Sequence, residues 1–264
     1  ADPSAQDALA GHLHNLGVVL NFKDDPRLQD THVLNPHWVT GGIYKVLNSQ
    51  VVERQRGELR LQDAANVLDA ADYPPEMRRF IFDLMRKFEL CFTFPDEETH
   101  YLITELLDKQ EPEETAPWKR EECLNLAYQY PVLPEGLLPR FIVRTHGMSE
   151  GLPRWRTGVV VQFDGCRALV RADAPERRVS IAVTGPAGAW RRLLAVVRSH
   201  FEEIHRGIPR LQPQAMVPLL GYPDEAVPYD ELLGFERAGE RDLKRYVKGK
   251  VVSFVVSQLL DGLT

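Results

Sequence analysis

The chain has 264 residues, of which 44% are hydrophobic and 27% are charged, and its formal net charge is −6. This balance is typical of a soluble globular protein and excludes an intrinsically disordered one. No apolar run reaches the roughly 20 residues that a transmembrane helix needs, so no membrane span is predicted. A chain of this length usually folds as two domains.

The charged residues are unevenly distributed along the chain. The first 118 residues hold 11 Lys and Arg against 21 Asp and Glu, whereas the remainder holds 21 against 17. The acidic stretch Gln110–Thr115 lies near this change and has no core pattern, which predicts a linker. The predicted divisions are a tag or lead-in at 1–12, a first domain at 13–109, a linker at 110–118 and a second domain at 119–264.

Two short strands and a helix are predicted at the start of the first domain. Gly17–Phe22 and Thr31–Leu34 are apolar and are separated by a charged loop. Asn35 suits a helix N-cap, and Pro36 suits the first helical position, where a missing N–H costs nothing. Apolar residues spaced at about 3.6 then predict a helix from about Pro36 to Asn48.

Two more helices and a hairpin complete the predicted first domain. The second helix covers about Leu61–Ala71, and the third opens at Pro74-Pro75. The apolar stripe of the third helix is Phe80, Ile81, Leu84 and Phe88. Strands at Leu90–Phe94 and His100–Ile103 follow, joined by an acidic turn. Three helices closed by a hairpin predict a winged-helix-like arrangement.

Strands dominate the second domain. Alternation from Glu122 to Tyr130 predicts one strand, and Asp164-Gly165 predicts a two-residue hairpin turn. The other predicted elements are a helix at Leu137–Thr145, strands at Trp155–Phe163, Cys166–Ala172 and Arg178–Thr184, a helix at about Pro186–Arg206, a strand at Met216–Leu219, a helix at Tyr229–Phe235 and a strand–helix pair at Val251–Leu263. The predicted fold class is therefore α+β, with a winged-helix-like subdomain followed by an antiparallel sheet with packed helices.

Ordered motifs in the first half resemble a known family. Leu16–Leu20 with Phe22 follows the pattern LxxLGVVLxF, Val33 to Val39 follows ILxPxWh, and Tyr44 with Leu47 follows YxhL, where h is apolar. This series is similar to the COR (C-terminal of Roc) module of Roco proteins. The resemblance marks Gly17, Pro36, Trp38 and Tyr44 as structural signature residues.

The second half extends the same resemblance to nearly the whole chain. Tyr128–Ile142 is similar to the family's YxxPxhPxGhhxRhI segment, and Trp155–Val161 is similar to its WRxGhhL segment. Leu259–Leu263 looks like the closing LLxGh. The signature residues of this half are Trp155, Arg156 and Gly158.

The resemblance implies a non-catalytic module that forms homodimers and regulates an adjacent Roc GTPase domain. No G-x-x-x-x-G-K-[ST] phosphate loop occurs in the sequence, so GTP or GDP and Mg²⁺ are expected in a Roc domain upstream, and no cofactor is expected here. A cytoplasmic location is expected as well. The sequence leaves open whether leucine-rich repeats or a kinase domain accompany this module.

One segment is the candidate interface with the GTPase domain. In the family, the tyrosine matching Tyr128 lies where COR meets Roc, and a phenol suits such a surface. The hypothetical interface residues are Tyr128, Tyr130, Pro131, Pro134 and Gly136. Core packing of the two tyrosines remains an equal alternative, because neighbours two apart on a strand share one face.

The sequence also contains patterns that are found in proteins of other functional classes. Basic side chains on the third helix fit a winged-helix nucleic-acid binder, but the acidic first half disfavours one. Gly147–Gly151 matches the G-x-S-x-G pattern of serine hydrolases, but Ser149 lacks the required strand-to-helix context.

His200 and His205 are five residues apart, a spacing that does not suit a zinc-binding helix. Cys91, Cys123 and Cys166 are predicted to be reduced core thiols.

Overall fold

The structure of the chain is a computed structural model, and it describes residues 25–28, 36–186 and 188–261. The described residues divide into two compact units, and the boundary lies between Asp108 and Lys109. Both contain helices and antiparallel sheets, so the predicted α+β class is confirmed. Gly17, Asn35 and the two strands predicted before Pro36 lie outside the described residues.

The first unit packs helices against a three-stranded antiparallel sheet. Its helices are α1 (Pro36–Leu47), α2 (Gln50–Arg54) and α3 (Pro75–Lys87), with a 3₁₀ helix at Leu61–Asn66. Its strands are β1 (Glu58–Arg60), β2 (Cys91–Phe94) and β3 (Glu97–Ile103), in the order β1-β3-β2. The predicted first and third helices are confirmed, whereas the second is shorter than predicted and is 3₁₀ rather than α. The winged-helix comparison stays a prediction.

Helix α3 supplies much of the core of this unit. Phe80, Ile81 and Leu84 are buried, as the apolar stripe predicted. Phe88 was predicted to belong to that stripe, but it is the C-cap residue and is half exposed. The helical spacing no longer applies at a C-cap, because the chain turns away from the helix axis there.

The second unit is built on a seven-stranded antiparallel sheet in the order β10-β9-β4-β8-β7-β6-β5. Its strands are β4 (Leu124–Gln129), β5 (Arg154–Trp155), β6 (Gly158–Phe163), β7 (Cys166–Asp173), β8 (Arg178–Thr184), β9 (Gln214–Leu219) and β10 (Tyr222–Pro228). The Asp164-Gly165 turn is confirmed, and both residues have positive φ angles (52° and 75°), as a type I′ turn requires.

Helices and a separate hairpin complete the second unit. The helices are α4 (Leu137–Arg144), α5 (Trp190–Arg206), α6 (Tyr229–Ala238) and α7 (Val256–Asp261). Strands β11 (Asp242–Val247) and β12 (Lys250–Val255) form a two-stranded sheet of their own. Strands β10 and β11 were not predicted, because their sequences carry several charged residues and lack a long apolar alternation.

The segment predicted as a linker contains ordered structure. Residues 113–115 form a 3₁₀ turn, Thr115 is buried, and Glu111 forms an ion pair with Arg171 on β7. Its residues belong to the second unit.

Two properties of the described residues bear on location and chemistry. None of the helices in the described ranges is long and apolar enough to cross a membrane. Cys91, Cys123 and Cys166 are all buried and form no disulfide, as their apolar surroundings predicted.

Candidate interface segment of the second unit

Tyr128 and Tyr130 lie at the C-terminal end of β4 and are both buried. Their rings are 6.3 Å apart and share the sheet face that helix α5 covers. Phe201 of α5 lies 5.4 Å from the Tyr128 ring and stacks at 4.3 Å on Phe141 of α4. The structure therefore brings both predicted tyrosines into the core of their own unit.

His205 joins this aromatic cluster from the last turn of α5. The Tyr130 hydroxyl lies 2.9 Å from His205 Nε2, and the imidazole packs edge-on against the Tyr128 ring at 5.1 Å. Burial lowers the pKa of His205 to about 4, so the ring is neutral near pH 7 and can accept a hydrogen bond from the phenol. Burial also raises the pKa of Tyr130. The pair is thus a neutral buried hydrogen bond.

The Tyr128 hydroxyl has a different environment. Burial raises the pKa of Tyr128, and the nearby Arg198 guanidinium partly opposes that rise. The Tyr128 hydroxyl and Arg198 Nε are both buried, and neither makes a hydrogen bond of standard geometry with any described residue. The Arg198 guanidinium instead lies over the Tyr229 ring, 4.2 Å from its centroid. Tyr128 is therefore held mainly by ring packing.

The loop that follows the two tyrosines is the accessible part of the segment. Pro131 is exposed, Pro134 and Gly136 are half-buried, and Val132 has 71% of its surface exposed. Arg177 holds the start of the loop by donating to the Pro131 carbonyl, and Leu137 N–H donates to the Pro134 carbonyl at its end. The tyrosine cluster thus supports an anchored, solvent-facing loop.

The tryptophan-containing signature of this unit is a packing motif. Trp155 pairs with Gly158 across the β5–β6 hairpin and is buried. A Cβ atom placed on Gly158 would lie 1.9 Å from Trp155 Cζ2, so only glycine leaves room for the indole. Arg156, in the turn between them, has a buried Nε without a hydrogen-bond partner among the described residues.

The signature residues of the first unit include both packed and exposed positions. Pro36 begins α1, and Trp38 on that helix stacks on Tyr73 at 4.9 Å. The Tyr73 hydroxyl donates to the Trp38 carbonyl, and Trp38 Nε1 donates to the Asp72 carbonyl. Tyr44 is 65% exposed and contributes little to the core.

Comparison with known proteins places these features in a family. The model of the C-terminal of Roc, COR-A domain matches residues 1–107, and that of the C-terminal of Roc, COR-B domain matches residues 121–262. The chain belongs to the COR family. The resemblance to a Roco-protein COR module is thereby confirmed.

A kinase and a protease are among the proteins similar to this chain. A probable serine/threonine-protein kinase, pats1, from Dictyostelium discoideum is 23% identical over 189 residues, which is 67% of this chain and 6% of that protein. A Roc-COR-CHAT protease from Runella zeae is 27% identical over 151 residues, covering 57% of this chain and 16% of that protein. This COR chain therefore spans only a small part of these relatives.

A solved structure of Methanosarcina barkeri Roco2 RocCORdC bound to GDP also matches. Its sequence identity is 41%, it covers 40% of this chain and 33% of the other, and its TM-score is 0.37.

Ser149 does not have the surroundings of a hydrolase nucleophile. Ser149 is fully buried, and its hydroxyl donates to the His146 carbonyl at 3.2 Å. It follows a 3₁₀ turn rather than a strand, so it is not the exposed residue of a nucleophile elbow. No group of three or more His, Cys, Asp or Glu residues suited to a metal occurs among the described residues.

Most basic residues of α3 lie close to acidic side chains. Asp83, itself buried, lies 3.8 Å from Arg79 and 3.6 Å from Arg86. Lys87 lies 4.0 Å from Asp25, which Arg27 also contacts at 2.6 Å. Acidic partners thus offset most of the positive charge that a phosphate backbone would need. Arg78 is the exception, because no carboxylate of the described residues lies within ion-pair distance of it.

Sequence reasoning missed two features of the second unit. It dismissed His205 as a zinc ligand and did not link it to Tyr130, because the two residues are 75 positions apart. It also missed the β11–β12 hairpin, although Lys248-Gly249 occupies its turn with two positive φ angles (47° and 87°). A Gly in a two-residue turn between short strands was the available signal.

Proposed function

We propose that this chain is the dimerising and regulatory part of a Roco protein and that it acts beside a Roc GTPase domain. The match of both COR domain models along the chain carries this proposal. The chain itself makes and breaks no bond in this role. GTP or GDP and Mg²⁺ would bind the Roc domain, whose nucleotide state would change the pairing of two COR modules.

The β11–β12 hairpin supports a dimer contact in the second unit. Tyr246 and Val251 face each other across the two strands, with 74% and 67% of their surfaces exposed. Exposed apolar pairs of this kind mark protein interfaces, and tyrosine is enriched at interface cores. Strand β12 carries one charged residue, Lys250, so its edge lacks the charges that normally prevent strand pairing.

A second copy of this chain is the natural occupant of such a surface. When a strand pairs antiparallel with the same strand of a second chain, a two-fold axis relates the two chains. Each residue then has the same partners in both chains. The two Tyr246–Val251 pairs would lie near each other across that axis. Burial of apolar side chains and new backbone hydrogen bonds would both favour the dimer.

The loop from Pro131 to Gly136 supports a contact with the Roc domain. Val132 presents an apolar surface there, and Arg177 fixes the start of the loop. Tyr128 and Tyr130 are buried and would not contact the Roc domain themselves. They would hold the loop in place by packing against α5. For regulation, the nucleotide state of the Roc domain and the dimerisation of the COR module must both change the free energy of this loop contact.

Sedimentation equilibrium on the full chain tests the dimer. From about 1 to 100 μM we expect a reversible monomer–dimer equilibrium, a range that covers about 2.7 kcal/mol of association free energy. The double variant Tyr246→Lys/Val251→Lys should be monomeric throughout. Tyr44→Lys, which removes another largely exposed tyrosine from the first unit, is the matched control and should dimerise normally. A double variant that still dimerises would reject this surface.

Binding of the Roc domain in trans tests the regulatory contact. Val132→Glu should weaken association with the Roc domain of the same protein at least tenfold, because a charge would be buried against it. Phe163→Glu, at another exposed apolar position of the second unit, should change it less than twofold. Equal affinities for the GDP-bound and GTP-bound Roc domain would contradict regulation by nucleotide state.

A further inference from the structure

Arg78 is a buried arginine that has no acidic partner among the described residues. It is the fourth residue of α3, and 9% of its surface is exposed. Its Nε donates to the Tyr73 carbonyl at 3.1 Å. No carboxylate of the described residues lies within ion-pair distance of it, although Arg79, next in sequence, lies 3.8 Å from Asp83. A buried guanidinium is costly unless an anion compensates it.

Arg78 lines an open cleft of about 470 Å³. Among the described residues, the only acceptor for its guanidinium is the Tyr73 carbonyl, which bonds to Nε. The cleft is lined by Arg60, Leu61, Gln62, Pro75, Arg78 and Thr99. Gln62 and Thr99 are exposed at its rim and offer an amide and a hydroxyl. All of these residues belong to the first unit.

The charges around the cleft favour the binding of a single anionic group rather than of a polyanion. Arg60 is already paired with Glu97 at 2.5 Å, and Glu97 also contacts His100. Among the described residues that line the cleft, Arg78 therefore carries the positive charge without an ion pair, and the N-terminal end of α3 adds to that charge. Because the first half of the chain is strongly acidic, a polyanion such as nucleic acid would be repelled.

We propose that this cleft binds a single oxyanion, the carboxylate or phosphate group of a ligand. The planar guanidinium can donate two parallel hydrogen bonds to two oxygen atoms of either group. The amide of Gln62 and the hydroxyl of Thr99 complete a set of donors at the rim. The group comes either from an acidic side chain of a partner or from free phosphate. This site is independent of the dimer contact and of the Roc contact.

Amide chemical shifts of the ¹⁵N-labelled full chain, titrated with two probes, test the site. We expect sodium phosphate or N-acetyl-glutamate amide to shift the amides of Gln62, Arg78 and Thr99 in a saturable manner. Saturation by phosphate alone would identify free phosphate as the source, and saturation by the glutamate probe would identify an acidic side chain. N-acetyl-glutamine amide is the uncharged control and should produce no saturable shift.

Three variants separate binding from folding. Arg78→Gln should weaken binding at least tenfold, and Thr99→Val, at the exposed rim, should weaken it severalfold without unfolding the unit. Arg79→Gln removes the same charge from the same helix outside the cleft and should change binding less than twofold. The absence of saturable shifts with both probes would overturn the proposal. Equal losses in Arg78→Gln and Arg79→Gln would also overturn it, since they would indicate general attraction only.

Discussion

The Tyr130 hydroxyl lies 2.9 Å from His205 Nε2 and links the end of β4 to the last turn of α5 across 75 residues of sequence. The neutral imidazole accepts this hydrogen bond because burial keeps its pKa near 4. Tyr128, two residues earlier on the same face, has no such partner among the described residues. Tyr130 is therefore held by a hydrogen bond as well as by ring packing, whereas Tyr128 is held mainly by ring packing.

Removing the Tyr130 hydroxyl should destabilise the second unit. Tyr130→Phe leaves His205 Nε2 buried and unpaired, so we expect a loss of about 1 kcal/mol in the free energy of unfolding. Tyr128→Phe makes the same change where the hydroxyl has no well-aligned partner among the described residues, and it should alter stability by less than about 0.5 kcal/mol. Urea denaturation measures both, and equal losses would contradict the assigned hydrogen bond.

The buried histidine should make stability depend on pH. His205 in the unfolded chain binds a proton below about pH 6.5, whereas in the folded chain its pKa is about 4. The free energy of unfolding should therefore fall as the pH drops from about 6.5 to 4, by roughly 2 kcal/mol from this residue. His200, whose pKa burial also lowers, contributes with the same sign.

The variant His205→Gln should flatten this dependence. Urea denaturation at several pH values between 4 and 7 measures the effect, and Tyr130→Phe examined in parallel removes the hydrogen bond while keeping the histidine. An unchanged slope in His205→Gln would show that other groups cause the acid sensitivity.

The contact between Trp155 and Gly158 should tolerate no added methyl group. Gly158→Ala places a Cβ atom 1.9 Å from Trp155 Cζ2, and we expect a loss of about 2 to 3 kcal/mol from overpacking. Gly147→Ala, at a glycine with no atom within 4 Å of the added Cβ, should be nearly neutral. Thermal denaturation compares the two, and a Gly158→Ala protein as stable as the control would contradict the packing described here.

The three cysteines should be unreactive in the folded chain. Cys91 is buried, and burial raises the pKa of its thiol to about 12, so the nucleophilic thiolate is scarce at pH 8. Burial raises the pKa of Cys123 and Cys166 as well. Titration with a thiol-reactive disulfide should label fewer than one thiol per chain before denaturation and all three afterwards. Rapid labelling of Cys91 without denaturant would contradict its burial.

Local patterns predicted many elements of the fold. Helix α3 begins at Pro75 as the Pro-Pro pair indicated, and the β6–β7 hairpin turns at Asp164-Gly165. These features depend on residues close in sequence, whose backbone preferences act without the rest of the protein. Strand β11 was missed because its sequence, DLKRYV, gains its structure from pairing with β12.

Motif order and strand alternation are local properties, so the family, the α+β class and the shared face of Tyr128 and Tyr130 could be predicted from the sequence. The packing of helix α5 on that face and the contact of His205 with Tyr130 become visible only in the folded chain. The same is true of the exposure of Tyr246 and Val251, and of the burial of Arg78 with no carboxylate of the described residues within ion-pair distance. The physical reason is that an apolar face, or a charge, has the same sequence pattern whatever covers it, and what covers it is a segment distant in the chain.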